Sequence, residues 1–165
     1  NAFRYAGVLE AAYLIDDMTV EIIADGVHLP KPLLQFVYKF KGPEKTALCT
    51  DSMRGAGIPD GESILGSLEK GQRVIIEDGV AKLPDRTAFA GSVATTDRLV
   101  RTMVEVAEVP LLEAVKMMTL TPARIMHIDQ QKGSIQKGKD ADLVVFDDKI
   151  HVSYTILEGN VIYGN

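Results

Sequence analysis

Residues 19–50 run strand, helix, strand, and that order constrains the fold more than any other feature of the chain. Thr19–Ala24 is rich in Val and Ile and reads as a buried strand, broken by Asp25-Gly26. Lys31–Lys41 places Leu33, Leu34, Val37, Tyr38 and Phe40 at helical spacing; Pro32 is tolerated in the first turn and Gly42-Pro43 ends the run. Thr46–Thr50 is a second buried strand. Strands joined through a helix run parallel with a right-handed crossover, so the sequence predicts an α/β fold. Both strands end at titratable residues: Thr50-Asp51 after one, and Asp25 with His28 after the other. Polar side chains at the C-terminal ends of parallel strands are how α/β barrels build active sites.

The rest of the chain divides by its punctuation. Ser52–Gly71 is rich in glycine and turn residues and reads as a loop over a site. Arg73–Ile76 and Val80–Leu83 flank Glu77-Asp78-Gly79, a hairpin signal. Phe89–Ser92 leads into a helix that Ser92 or Thr95 could cap, with Leu99, Val100, Met103, Val104 and Val106 on its apolar face. Leu111–Met118 is a second helix of this half, and Thr121-Pro122 opens a short third. After His127 the character changes. Leu143–Phe146, Val152–Leu157 and Val161–Tyr163 read as short strands, the last two joined at Glu158-Gly159-Asn160. The predicted division is therefore residues 1–130, the alternating part, and 131–165, a small antiparallel β unit.

Composition narrows the function classes. A chain of 165 residues is long enough for one sizeable core, and 46% hydrophobic with 25% charged residues is ordinary for a globular protein. The net charge is −5 and no basic run stands out, which argues against nucleic acid and anionic membranes as partners. The single cysteine, Cys49, excludes a disulfide framework and fits a reducing cytoplasm; in its apolar strand it reads as a small core residue. The chain starts at Asn1 without a methionine, and we read it as part of a longer protein.

Few residues are candidates for chemistry. Asp51, at a strand end before a glycine-bearing loop, could act as a general base, although spacing alone favours an Asp capping the next turn. His28 could bind an anion or a carbonyl oxygen, or be a surface loop histidine. Asp25 reads first as a turn residue beside Gly26. Phe89-Ala90-Gly91-Ser92 could offer backbone N–H groups to a ligand ahead of a helix, or be an ordinary N-cap. Arg4 could fork a phosphate, with a solvated arginine as the alternative. Met103, Met117, Met118 and Met126 fit helix faces as core residues, and His127 and His151 stand at no ligand spacing.

Several motifs together carry a resemblance. They are Asn1-Ala2-Phe3, Ile23-Ala24-Asp25-Gly26-Val27-His28, Cys49-Thr50-Asp51-Ser52, Gly55-Ala56-Gly57 and Phe89-Ala90-Gly91-Ser92. The tail adds Thr121-Pro122-Ala123-Arg124, Gly133-Ser134-Ile135 and Gly138-Lys139-Asp140-Ala141-Asp142-Leu143-Val144. Over essentially its whole length the chain resembles the C-terminal half of the N-acetylglucosamine-6-phosphate deacetylases, in the amidohydrolase superfamily. The resemblance implies the C-terminal part of a TIM-like (β/α)8 barrel followed by strands of a small β-sandwich. It implies Asp51 as the base that takes a proton from a metal-activated water and then protonates the departing amine. It implies that His28, with the backbone at Asn1 and Ala2, holds the 6-phosphate, that Arg4 is a candidate phosphate arginine, that Asp25 also binds substrate, and that Phe89, Ala90 and Gly91 close over the sugar. A divalent metal ion, zinc or iron, is implied as cofactor, with ligands upstream of Asn1 and none in this chain. The implied substrate is a phosphorylated amino sugar and the implied state a cytoplasmic homodimer. The alternatives are an amidohydrolase acting on a cyclic amide or an unphosphorylated acetylated sugar, and a non-catalytic homologue.

Overall fold

The computed structural model describes residues 7–164, and the alternation expected between residues 19 and 50 is present. Strand β1 (Val20–Ile22) pairs in parallel with β2 (Thr46–Leu48), and α2 (Lys31–Lys41) connects them. Helix α2 starts after Pro30, carries Pro32 in its first turn and ends at Gly42, whose φ of 65° is the left-handed region that favours glycine. It buries Leu34 and Val37 against the sheet. A further helix, α1 (Val8–Leu14), precedes β1. Its last turn is capped from outside: the buried Lys41 ammonium donates to the carbonyls of Ala12 (2.8 Å) and Ile15 (3.0 Å), satisfying acceptors that a helix end leaves open.

The segment expected to be a loop over the site instead holds the first strand of a four-stranded sheet. Gly61–Leu65 forms β3, which pairs residue for residue with β4 (Gln72–Glu77). The sheet continues through β5 (Val80–Lys82) to β6 (Phe89–Ser92), in the order β3-β4-β5-β6, all antiparallel. Asp78 and Gly79 connect β4 to β5 with φ of 54° and 72°; two central residues at positive φ are what a tight hairpin turn of this hand needs. Val74, Ala81 and Ala90 form this flap's own small core, with Met53, Leu65, Leu83 and Val93 packed against it. Phe89–Ser92 is therefore a strand and not a helix N-terminus. The helix behind it, α3 (Thr96–Glu105), begins after Thr95, whose side chain makes no capping bond.

The main core lies between the parallel pair and the helices. Leu34 from α2, Leu99 and Met103 from α3 and Met117 from α4 (Leu111–Met118) are fully buried there, with Ile22 and Leu48 from the strands. Met126, expected in the core, is 68% exposed, because α5 (Leu120–Ile125) ends one residue earlier and leaves it at the C-cap. Val106 is likewise the C-cap of α3 and half-exposed. The last sheet is β7 (Leu143–Phe146), β8 (Val152–Leu157) and β9 (Asn160–Gly164), antiparallel in chain order. Ile150, between β7 and β8, is buried in the main core and Phe146 packs on it, so this sheet is anchored to the helices.

Candidate active site

Asp51 leaves β2 with a φ of 45°, a conformation that costs an ordinary residue free energy and survives only where the surroundings hold it. Here they do. Ser52 bridges Ser92 in a parallel register, Ser92 N–H donates to the Asp51 carbonyl (3.3 Å), and Met53 N–H donates to the Ser92 carbonyl (2.9 Å). The Ser52 hydroxyl donates to the Ala94 carbonyl. The exits of β2 and β6 are thus stitched together. Among the described residues the Asp51 carboxylate accepts no hydrogen bond from the turn that follows it, so the turn-cap alternative does not hold. The residue is exposed and lines a cavity of about 410 Å³ with Ser52, Met53, Leu65, Phe89, Ala90 and Gly91. Gly91 sits at a φ of 102° on this wall, and a Cβ there would meet Met53 at 3.4 Å.

Asp25 and His28 form a second unit. The Asp25 side chain is fully buried and uses both oxygens. Oδ1 accepts the N–H groups of Val27 and His28, each at 2.9 Å, and Oδ2 pairs with His28 Nδ1 at 2.8 Å. Burial pushes the Asp25 carboxyl up, but the bonds from the His28 and Val27 N–H groups and the His28 ring outweigh it and hold the carboxyl below its ordinary 3.8. With Nδ1 committed to Asp25, Nε2 is the atom His28 has left for a ligand. The ring is no free surface group: its side chain is 20% exposed, and its centroid lies 5.2 Å from that of Phe89. Phe89 therefore joins the two units, one face of its environment being the Asp51 cavity and the other the His28 ring.

Of the candidate residues, Asp51, Phe89, Ala90 and Gly91 share one cavity, and Asp25, His28 and Phe89 share one cluster. Asn1, Ala2 and Arg4 lie outside the described residues. Met53 and Leu65 also line the cavity and were not singled out, since an isolated Met or Leu in a glycine-rich stretch carries no signal of its own. His127, at a φ of 58°, and His151, paired with Asp147 at 3.0 Å, take no part in either cluster. Among the described residues no three His, Cys, Asp or Glu side chains come together to hold a metal ion. These residues do not by themselves fit a metal centre.

Comparison with known proteins establishes the family. The model of the amidohydrolase family matches residues 4–162. The chain belongs to the amidohydrolase family. The N-acetylglucosamine-6-phosphate deacetylase of Lysinibacillus sphaericus is 34% identical over 158 residues, covering 96% of this chain and 39% of that protein. The N-acetylgalactosamine-6-phosphate deacetylase of Escherichia coli O157:H7 is also 34% identical over 158 residues, covering 96% of this chain and 40% of its own length. The crystal structure of N-acetylglucosamine-6-phosphate deacetylase from Thermotoga maritima superposes with a TM-score of 0.85 at 34% identity, over 96% of this chain and 42% of that one. The chain thus spans about two fifths of the length of each of these three amidohydrolases. No helix among its described residues is long and apolar enough to cross a membrane.

Proposed function

We propose that this amidohydrolase chain serves the hydrolysis of N-acetylglucosamine 6-phosphate to glucosamine 6-phosphate and acetate, with Asp51 moving the protons. The observation that carries this reading is Asp51 itself. It is a carboxylate held at a strained strand end, open to a cavity, and unused by the turn beside it. Amide hydrolysis needs a proton removed from water as its oxygen attacks the acetyl carbon, and a proton delivered to nitrogen as the carbon–nitrogen bond breaks. One carboxylate can do both in sequence. Ionised Asp51 takes the first proton; protonated Asp51 returns it to the leaving amine.

In the same reading His28 meets the 6-phosphate through Nε2, because Asp25 holds Nδ1. Phe89, Ala90 and Gly91 cover the sugar, and Asn1, Ala2 and Arg4 complete the phosphate side. The parallel pair β1 and β2 would be the last two strands of a TIM-like barrel, and β7–β9 would be strands of the small sandwich. A zinc or iron ion would take its ligands from outside the described residues. The reading also includes a cytoplasmic homodimer, which rests on the family resemblance and on the lone cysteine. A second substrate, the galactosamine epimer, is favoured by one finding: the relative of that name is 34% identical, as is the glucosamine one.

Acetate release by the full-length protein tests the proposal, with both 6-phosphorylated acetyl sugars and unphosphorylated N-acetylglucosamine as substrates. We expect turnover of a phosphorylated sugar. Asp51→Asn should lower kcat by about a hundredfold or more, and His28→Ala should raise KM for the phosphorylated sugar far more than for the unphosphorylated one. Near-normal turnover in Asp51→Asn would remove Asp51 as the proton carrier. Equal effects of His28→Ala on both sugars would remove its phosphate role.

A further inference from the structure

We propose that Arg98 is a positioning residue for this site: it locks the loop that carries His28 to the flap that carries Phe89. The inference rests on the assignment of His28 to substrate binding. Arg98 stands in the first turn of α3 and is half-buried. One guanidinium nitrogen, Nη1, donates to the Gly79 carbonyl at 2.7 Å; the other, Nη2, donates to the Asp25 carbonyl at 2.9 Å. The two acceptors belong to different elements, the β4–β5 turn of the flap and the loop after β1. A planar fork with two separated donors can hold both; a lysine ammonium on its flexible stem cannot fix the same pair of directions.

The surroundings are shaped for this contact. A Cβ at Gly79 would stand 2.9 Å from Arg98 Nη1, and its φ of 72° also favours glycine, so the turn residue lets the guanidinium approach. A Cβ at Gly26 would meet the Thr102 methyl at 3.3 Å, which shows how closely α3 backs the loop. From Arg98 the order of contacts runs two ways. Along the loop it passes through the Asp25 backbone to the Asp25 carboxylate, and from there to the His28 N–H and ring. Along the flap it passes from Gly79 through β5 and β6 to Phe89. The two paths meet again where the His28 and Phe89 rings touch. Arg98 closes that circuit through its bonds to Gly79 and Asp25.

Hydrogen exchange and kinetics on full-length Arg98→Met and Arg98→Lys test this. The Val27 and His28 amides, both held by Asp25, should exchange about tenfold faster in Arg98→Met and by an intermediate factor in Arg98→Lys, while β7–β8 amides keep their wild-type rates. KM for N-acetylglucosamine 6-phosphate should rise about tenfold in Arg98→Met with kcat changed less than about threefold. In a His28→Gln background the same substitution should raise KM by less than about twofold, since residues acting through one another are not additive. Unchanged exchange at residues 27 and 28, a uniform rise throughout the protein, or additive KM effects in the double variant would each overturn the proposal. If the full-length protein hydrolyses no acetyl sugar phosphate, the exchange measurement still decides the role of Arg98, and the failure belongs to the functional reading alone.

Discussion

Replacing Asp25 by alanine probes the site and the fold together. The carboxylate accepts two backbone N–H groups and one ring nitrogen, and its side chain is fully buried. A hydrogen bond to a charged acceptor contributes about 1.5–3 kcal/mol. Val27 and His28 are only half-buried, so water can reach their N–H groups once the carboxylate is gone, which brings each loss toward about 1 kcal/mol. Relief of the cost of burying a charge offsets part of the rest. The expected loss is therefore about 2–3 kcal/mol. Asp25→Asn keeps an oxygen for both backbone donors and turns its amide nitrogen to the ring, losing the charge and not every contact, so it should cost about 1 kcal/mol. The pH dependence has a fixed sign. The folded-state carboxyl is held below its ordinary 3.8, so the stabilisation is fully present above that value and fades as pH falls through the lower, folded value. Urea unfolding of the full-length protein from roughly pH 3 to 8 should show a gap between wild type and Asp25→Ala that is constant above roughly pH 5 and narrows toward pH 3. A gap below about 0.5 kcal/mol at neutral pH, or one that widens on acidification, would refute the reasoning.

Other positions give simpler readings. Leu99→Ala, at a fully buried site between α3 and the parallel strands, should lower stability by about 2–5 kcal/mol in chemical denaturation. Gly91→Val should both destabilise and obstruct, since the backbone stands at a φ of 102° against Met53; about 1–3 kcal/mol of strain is expected, with KM raised for the sugar phosphate in the acetate-release assay.

How much was legible in the sequence depended on whether the signal was local. The Lys31–Lys41 helix was readable because its apolar spacing, its Pro32 and its terminal Gly42 all agree, and the hairpin at Asp78-Gly79 because two residues suffice to make it. Strand β3 was not readable. Gly-Glu-Ser-Ile-Leu has no alternation and poor strand propensity at three positions, and what makes it a strand is five-residue pairing with β4. Helix α1 was missed for a related reason: its C-terminal carbonyls are satisfied by Lys41, far along the chain. The site divides in the same way. Asp25 and His28 are three residues apart, and their pairing follows from turn geometry. Arg98 reaches Asp25 across 73 residues, and nothing in its neighbourhood announces that contact.

The same distinction bears on what these 165 residues can do by themselves. Among the described residues β1 and β2 pair only with each other, and a two-stranded parallel sheet is not a stable unit, because parallel strands need partners and cover on both faces. The sheet at the other end has a similar need: every residue of β9 is exposed, with Val161 at 62% and Ile162 at 61%. Between them α1 and α2 leave Leu9, Leu14 and Phe40 largely exposed. Unpaired strand edges beside exposed apolar side chains recruit other copies of the chain. Produced alone, residues 1–165 should therefore form soluble aggregates at about ten micromolar and bind a hydrophobic dye. A chain of the relatives' length should do neither. Light scattering with size-exclusion chromatography measures the first expectation, and the second is its control. A monodisperse monomer of the short chain that unfolds in one cooperative transition would show that the flap and helix core stand without the strands that β1 and β2 lack here.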